Sequence, residues 1–474
     1  MKILFVTSEC YPFLKTGGLA DVSHALPKAL KKEGVDIRVI MPNYGTIDEK
    51  YRNEMTNVAS LSVNVGWREQ YLGIKHLNYE DIDYYFIDNM YYFFRESPYG
   101  YHDDGERFAY FSQAVIKAIE KINFIPDVIH CNDWHTATIP VLLKEKYDNK
   151  KFDDIKTVLT IHNLKFQGVF PYHILGEVFG LSYDLLDDEG FEFHGNANFL
   201  KGGINYADKV TTVSPTYLKE IQSEYFGEGL DGLLYRVRYK SEGILNGIDY
   251  ELNNPKTDKR INQIYHANYL KGKEDNKTYL QKKLGLTVDK DIPMYSIITR
   301  LTDQKGINIL SEILDEFLNK DVQLVVLGTG DIWYEDMFRH FENKYKGKVS
   351  SNILYDDKLA QEIYAGSDFF LMPSLFEPCG LSQMISLRYG TIPIVRETGG
   401  LKDTIEPYNK YTSEGLGITF GNYSSRELLD AIEKSLELYQ NTEEFKKIKV
   451  RAMKKDYSWE KSAKQYLDLY KSIL

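Results

Sequence analysis

Two α/β domains in one chain, the second of them doubly wound, is the fold class the sequence predicts, and three observations carry it. Short apolar runs alternate with amphipathic helical stretches through both halves. Glycine-bearing turns stand where a strand hands over to a helix, at Gly17-Gly18, at Gly328-Thr329-Gly330 and at Gly380. Between the two series, Leu245-Asn246-Gly247-Ile248-Asp249 leads into a polar run through Asp275 that includes Asn253-Asn254-Pro255 and has little apolar periodicity. The boundary is accordingly set near Asn246, giving domains over 1–245 and 246–456 with a closing segment over 457–474.

Taken in order, residues 2–6 read as a strand, Lys15-Thr16-Gly17-Gly18 as a loop and 19–33 as a helix with Leu19, Val22, Leu26, Ala29 and Leu30 on one face. A strand over 36–41 completes a βαβ opening. The next strand is read at 84–87, then a helix over 106–122, a strand over 127–131, a helix over 136–147 and strands over 157–161 and 209–213. The second series has strands at 294–299, 322–327, 351–354 and 368–372, with helices over 307–318, 332–344 and 358–365 between them. Helices over 382–388, 426–439 and 460–473 follow. No short-period repeat or low-complexity tract interrupts this pattern.

Composition narrows the function. With 58 basic against 69 acidic residues the net charge is -11, which argues against a nucleic acid or other phosphate polymer as partner. Three cysteines, Cys10, Cys131 and Cys379, are too few for a disulfide framework or a paired zinc motif, so a reducing, cytoplasmic setting is expected. The apolar run at 3–6 is far short of a signal core or membrane span. Aromatic residues make up 14%, a surplus that fills cores first and leaves a minority as sugar platforms.

Several polar clusters fall at strand ends, where open parallel sheets bind ligands. Glu377, in Ser374-Leu375-Phe376-Glu377-Pro378-Cys379-Gly380-Leu381, is placed at a strand-to-helix turn, with acid, base or nucleophile all open to it. Arg300 and Lys305 bracket Leu301-Thr302-Asp303-Gln304, so two cations can converge beside the amides of Gly306 and Ile307; a diphosphate suits that spot, and a solvated basic loop is the bland alternative. A Gly pair such as Gly17-Gly18 more often marks an ordinary turn than a phosphate cradle, and it does not form G-x-G-x-x-G. In His130-Cys131-Asn132-Asp133-Trp134-His135 strand alternation scatters any metal ligands, so no metal is expected and Asp133 is read as an orienting carboxylate. His162, beside Asn163, is either a hydrogen-bonded structural histidine or a site residue, and its strand-end position favours the second.

Lys15-Thr16-Gly17-Gly18-Leu19-Ala20-Asp21-Val22, Asn132-Asp133-Trp134-His135, Arg300-Leu301-Thr302-x-Gln304-Lys305-Gly306, Glu377-Pro378-Cys379-Gly380-Leu381 and Thr398-Gly399-Gly400-Leu401 occur together and in order. This set, spanning essentially the whole chain, resembles the bacterial glycogen synthase and starch synthase family. The resemblance implies a GT-B fold, two doubly wound Rossmann-like domains facing a central cleft that is complete when they close, with the last helix crossing back to the first domain. It implies a retaining glucosyltransferase moving glucose from ADP-glucose to the non-reducing end of an α-1,4-glucan. No cofactor or metal is implied, because Arg300 and Lys305 neutralise the leaving diphosphate. Lys15, Gly17 and Gly18 are implied to reach the nucleotide, Asp21, Asn246 and Tyr355 to contact it, and Tyr355 to stack on adenine. Glu377 with the amides of Cys379, Gly380 and Leu381 is implied to hold the glucosyl hydroxyls. His162 matches the residue beside the transferring sugar and Asp133 the one orienting the acceptor region. Asn163, Thr398, Gly399 and Gly400 complete the implied substrate-binding set. Front-face attack, with the departing phosphate oxygen taking the acceptor proton, is the implied mechanism. The alternatives are a GT-B transferase for another nucleotide sugar and a noncatalytic glycan-binding protein. The chain departs from the family pattern at Leu359-Ala360-Gln361-Glu362-Ile363, where many relatives have a basic residue near Glu362, and at Arg95-Glu96-Ser97-Pro98-Tyr99, where a glycine-richer loop is common.

Overall fold

The computed structural model describes residues 1–147 and 150–474. These form two compact units, one of Met1–Gly247 with Trp459–Leu474 and one of Ile248–Ser458.

In the first unit the described residues build a nine-stranded sheet in the order Ser241–Gly243, Lys209–Thr212, Lys156–Ile161, Val128–Asn132, Lys2–Val6, Asp36–Pro42, Ile82–Asp88, Arg68–Tyr79, Thr56–Val65. All neighbours from Ser241–Gly243 to Ile82–Asp88 pair parallel. Lys2–Val6 is central, covered on both faces, and so reads as the unbroken apolar run Ile3-Leu4-Phe5-Val6. The helix Gly18–Lys32 lies against Asp36–Pro42 and against the last helix, Trp459–Lys471. That last helix is tied down through His130, whose ring nitrogens engage the Tyr470 hydroxyl and the Thr160 hydroxyl, each at 2.6 Å.

Arg68–Tyr79 and Thr56–Val65 form an antiparallel hairpin on the sheet edge, where the sequence reading finds no element. Its outer strand is mostly wet, and a bulge between Asn57 and Ala59 breaks the alternation of apolar residues, so the period-two signal is thin.

The second unit holds a six-stranded, wholly parallel sheet in the order Val349–Asn352, Gln323–Leu327, Met294–Ile298, Phe369–Met372, Ile392–Arg396, Ile418–Phe420. The helix expected over 307–318 is two short ones, Ile307–Ser311 and Leu314–Leu318, separated by a tightened turn at Glu312 and Ile313. At the end of the run read as polar and aperiodic begins the helix Lys271–Lys283, whose buried face is mostly polar, with Lys273, Asn276, Lys277 and Gln281 around the one large apolar side chain, Leu280. Lys273 Nζ donates to the carbonyls of Tyr364 and Ala365 at 3.2 Å, on the last turn of the helix Asp357–Gly366, where burial pushes its pKa well down, and Lys277 pairs with Asp368 at 2.6 Å.

Strand order decides where the loops meet. From Met294–Ile298 the chain winds outward to one side, then returns to Phe369–Met372 and winds to the other, so the loops 299–306 and 373–381 leave neighbouring strands at their carboxyl ends. Lys2–Val6 and Val128–Asn132 stand in the same relation in the first unit, which brings the loops 7–17 and 133–138 side by side. Both are topological switch points, where open parallel sheets leave room for a ligand.

Candidate active site

In the second unit the loop after Met294–Ile298 carries Arg300 and then a single turn, Asp303–Lys305, that ends on Gly306 in the left-handed conformation, φ 77°. A Cβ at Gly306 would run into the Pro373 carbonyl, so only glycine lets this loop lie on its neighbour. The two loops are joined directly by the Leu375 amide, which donates to the Gln304 carbonyl at 2.9 Å. The contact carries the chemistry with it: Lys305 Nζ stands 2.6 Å from Glu377 Oε2, and Ser374 Oγ donates to the same oxygen at 3.1 Å. Lys305 and Glu377 are only 15% and 8% exposed. Arg300 is exposed and has no acidic partner among the described residues.

A third loop completes this cluster. Ile392–Arg396, the neighbour of Phe369–Met372, leads into Thr398 and the short helix Gly399–Thr404. The Gly400 amide donates to the Glu377 carbonyl at 3.0 Å, and Gly400 sits against the Cys379 backbone too closely for a side chain. Gly399, at φ 45°, would drive a Cβ into the Glu377 carbonyl. The Thr-Gly-Gly motif is thus a main-chain support for the Glu377 turn. Cys379 is buried, Gly380 is left-handed at φ 71°, and Leu381 precedes the helix Ser382–Arg388. Tyr355 lies just beyond Val349–Asn352, a strand of the same sheet, and is 77% exposed.

The first unit brings a different set together. Lys15 pairs with Asp21 at 2.8 Å, across the start of the helix Gly18–Lys32, with Gly17 as its extended N-cap. The loop is fixed by Glu9, whose Oε2 accepts from both the amide and the hydroxyl of Thr16 at 2.7 Å; burial pushes the Glu9 pKa up. Glu9 is a residue the sequence reading missed, although its place just beyond Lys2–Val6 is a usable signal. Asp133 has a left-handed backbone, φ 56°, and its Oδ1 accepts from the His162 amide at 2.7 Å; the Asn163 amide bonds to it as well. Burial nevertheless pushes the Asp133 pKa up to about 7, against the two amides, which lower it. His162 Nε2 lies 2.9 Å from Asn132 Oδ1, and Asn132 gives its own amide protons to the Val6 and His130 carbonyls. That oxygen can only accept, so His162 keeps its proton on Nε2. Burial pushes its pKa down to about 3, so the ring is neutral at working pH. Asn163 uses its side chain to cap the Lys165 amide at 3.1 Å.

His130 and Cys131 do not join this cluster: His130 is taken up by Tyr470 and Thr160, and Cys131 is fully buried. Asn246 lies near the end of the first stretch of this unit, buried, with its side-chain oxygen unpartnered.

Known proteins resemble this arrangement along its whole length. Residues 2–236 match the family described as starch synthase catalytic domain, and residues 281–452 the family described as glycosyl transferases group 1. A glycogen synthase of Clostridioides difficile is 50% identical over 478 residues, covering 100% of both chains, and one of Clostridium novyi is 52% identical, covering 100% of this chain and 99% of its own. Among solved structures, the catalytic domain of starch synthase IV from Arabidopsis thaliana, bound to ADP and acarbose, superposes with a TM-score of 0.94 at 33% identity over 99% of each chain. Sucrose-phosphate synthase from Thermosynechococcus elongatus shares the fold, with a TM-score of 0.62 at 16% identity over 100% of this chain and 98% of its own.

Proposed function

We propose, from the premise that this chain belongs to the glycogen synthase and starch synthase family of glycosyltransferases, that it transfers glucose from ADP-glucose to the non-reducing end of an α-1,4-glucan with retention of configuration. The observation that carries the residue assignment is the pairing of Lys305 with Glu377 at the switch point of the second unit.

Departure of a nucleoside diphosphate leaves negative charge on phosphate oxygens while positive charge grows on the anomeric carbon. Fixed charges aimed at those two places lower the barrier because they are stronger in the transition state than in the ground state. Arg300 and Lys305 supply the cations for the diphosphate. Glu377 takes the glucosyl hydroxyls, with the amides of Cys379, Gly380 and Leu381 beside it. The Lys305–Glu377 pair then acts as a preset: each group holds the other in place until the donor gives Lys305 a phosphate and Glu377 a sugar. Tyr355 offers an exposed ring for the adenine. In the first unit Asp133 fixes the main chain of His162 and Asn163, whose roles are to orient sugar. A covalent glycosyl-enzyme is not part of this mechanism. The acceptor hydroxyl oxygen bonds the anomeric carbon on the face that ADP leaves, the carbon–oxygen bond to phosphate breaks, and the acceptor proton passes to the released phosphate oxygen.

The test is a donor panel with a glycogen primer, read as nucleoside diphosphate release and chain extension. ADP-glucose should be preferred, with the α-linked product seen by proton NMR. Preference for a UDP- or GDP-sugar would overturn the donor assignment, and release of ADP without chain extension would overturn the acceptor.

A further inference from the structure

The cationic loop contains an acid. Asp303 lies between Arg300 and Lys305, on the single turn that ends at Gly306, and a carboxylate there opposes the diphosphate that the proposed function brings to the loop. Asp303 is not left to itself. The Tyr334 hydroxyl, from the helix Ile332–Lys344 that follows the neighbouring parallel strand Gln323–Leu327, donates to the Asp303 carboxylate, and Tyr334 is 6% exposed. The Asp303 carbonyl in turn accepts from the Tyr423 hydroxyl at 3.0 Å, and Tyr423 also meets the Asn308 side chain.

Tyr423 links this loop to the one that carries Glu377. The Arg396 guanidinium lies over the Tyr423 ring at 5.7 Å, its Nε donates to the Ser374 carbonyl at 2.8 Å, and its Nη2 donates to the Leu375 carbonyl. One phenol therefore touches the cationic loop through its hydroxyl and supports, through its ring, the arginine that grips the residues before Glu377.

We propose that Tyr334 and Tyr423 are positioning residues for the donor: Tyr334 tethers the Asp303 carboxylate so that it does not compete with the diphosphate for Arg300 and Lys305, and Tyr423 fixes the loop on which all three stand. This rests on the assignment of Arg300 and Lys305 to the diphosphate. A released Asp303 adds a second, flexible carboxylate to the loop that carries the cations, and unlike Glu377 it has no sugar to take when the diphosphate arrives, so it opposes the ligand instead of being exchanged for it. The Tyr334 hydroxyl satisfies Asp303 without using a cation.

The experiment measures ADP binding to the full-length chain by calorimetry for wild type, Tyr334→Phe, Asp303→Asn and the double variant. Tyr334→Phe should weaken ADP binding about tenfold, the loss expected when a hydrogen bond to a charged group goes. Asp303→Asn in the Tyr334→Phe background should restore affinity to within about twofold of Asp303→Asn alone, since the amide carries no charge. A purely structural role for Tyr334 would leave the double variant as weak as the single one, and that result overturns the proposal, as does a Tyr334→Phe chain that binds ADP like wild type. Tyr423→Phe keeps the ring beneath Arg396 and serves if Tyr334→Phe does not fold: it should raise the donor KM with the glucan KM unchanged, and an unchanged donor KM overturns the proposal. If wild type binds UDP or GDP in place of ADP, the donor assignment fails, and the same variants titrated with that nucleotide test the tether separately.

Discussion

At the switch point of the second unit a largely buried cation and carboxylate lie 2.6 Å apart and a further arginine faces solvent, whereas at that of the first unit the ion pair Lys15–Asp21 is a third exposed, the buried carboxylates Glu9 and Asp133 accept from main-chain amides and a hydroxyl, and the histidine is neutral. The same strand arrangement therefore supports two electrostatic designs. Full charges suit a group whose charge changes during reaction, and the leaving diphosphate is such a group. Neutral, directional hydrogen bonds suit hydroxyl-rich sugars, which need orientation more than charge. Asp133 sits between these designs, a carboxylate whose burial brings its ionisation up to neutral pH.

The difference can be broken most directly where the charges are. Lys305→Ala and Glu377→Ala should each lower kcat by about 100- to 1000-fold in an ADP-release assay, as loss of a preorganised charge does. The double variant should be little worse than the poorer single one, because the two act as a unit; additive losses would show that they serve separate steps. Next, Gly399→Ala should push on the Glu377 carbonyl and cost about 100-fold in turnover without touching either charge, a displacement effect that a crystal structure of the variant would show.

The first unit should answer to pH instead. With the Asp133 pKa near 7, turnover should rise through neutrality as the carboxylate ionises, and Asp133→Asn should remove that inflection at a cost of about tenfold at pH 8. The stability sign is opposite. A folded pKa above the unfolded value of 3.8 means the folded chain holds the proton more tightly, so stability is lost as pH rises from about 4 to about 7. Asp133→Asn should therefore melt higher than wild type at pH 8 and not at pH 4. The smallest effect belongs to the last helix. Tyr470→Phe removes the hydroxyl on His130 and should lower stability by about 1 kcal/mol, a few degrees in Tm, with turnover unchanged.

What was legible in the sequence follows from the same physics. Strands covered on both faces, such as Lys2–Val6 and Phe369–Met372, announce themselves as apolar runs, and Ile332–Lys344 begins and ends where its pattern does. Glu377 could be placed at its turn because a buried strand and an amphipathic helix flank it. Lys305 and Glu377 are 72 residues apart, and their contact depends on strand order, which no local pattern encodes. Lys271–Lys283 escaped notice because, apart from Leu280, the large side chains it buries are lysines and amides, where a periodicity search looks for a stripe of leucines. The Asp303 tether escaped for a related reason: Tyr334 and Tyr423 come from two further elements and read as ordinary aromatic residues until the sheet is assembled.

The last helix has a consequence for synthesis. Because Trp459–Leu474 belongs to the first unit, the second unit is an insertion, entered at Ile248 and left at Ser458, and these two residues pair side by side as a bridge. On the ribosome, the inserted unit has its full sequence before the host unit does. His130 can find Thr160 early but waits with its Nδ1 unmatched until Tyr470 emerges, so the host sheet is sealed after the guest has had time to fold.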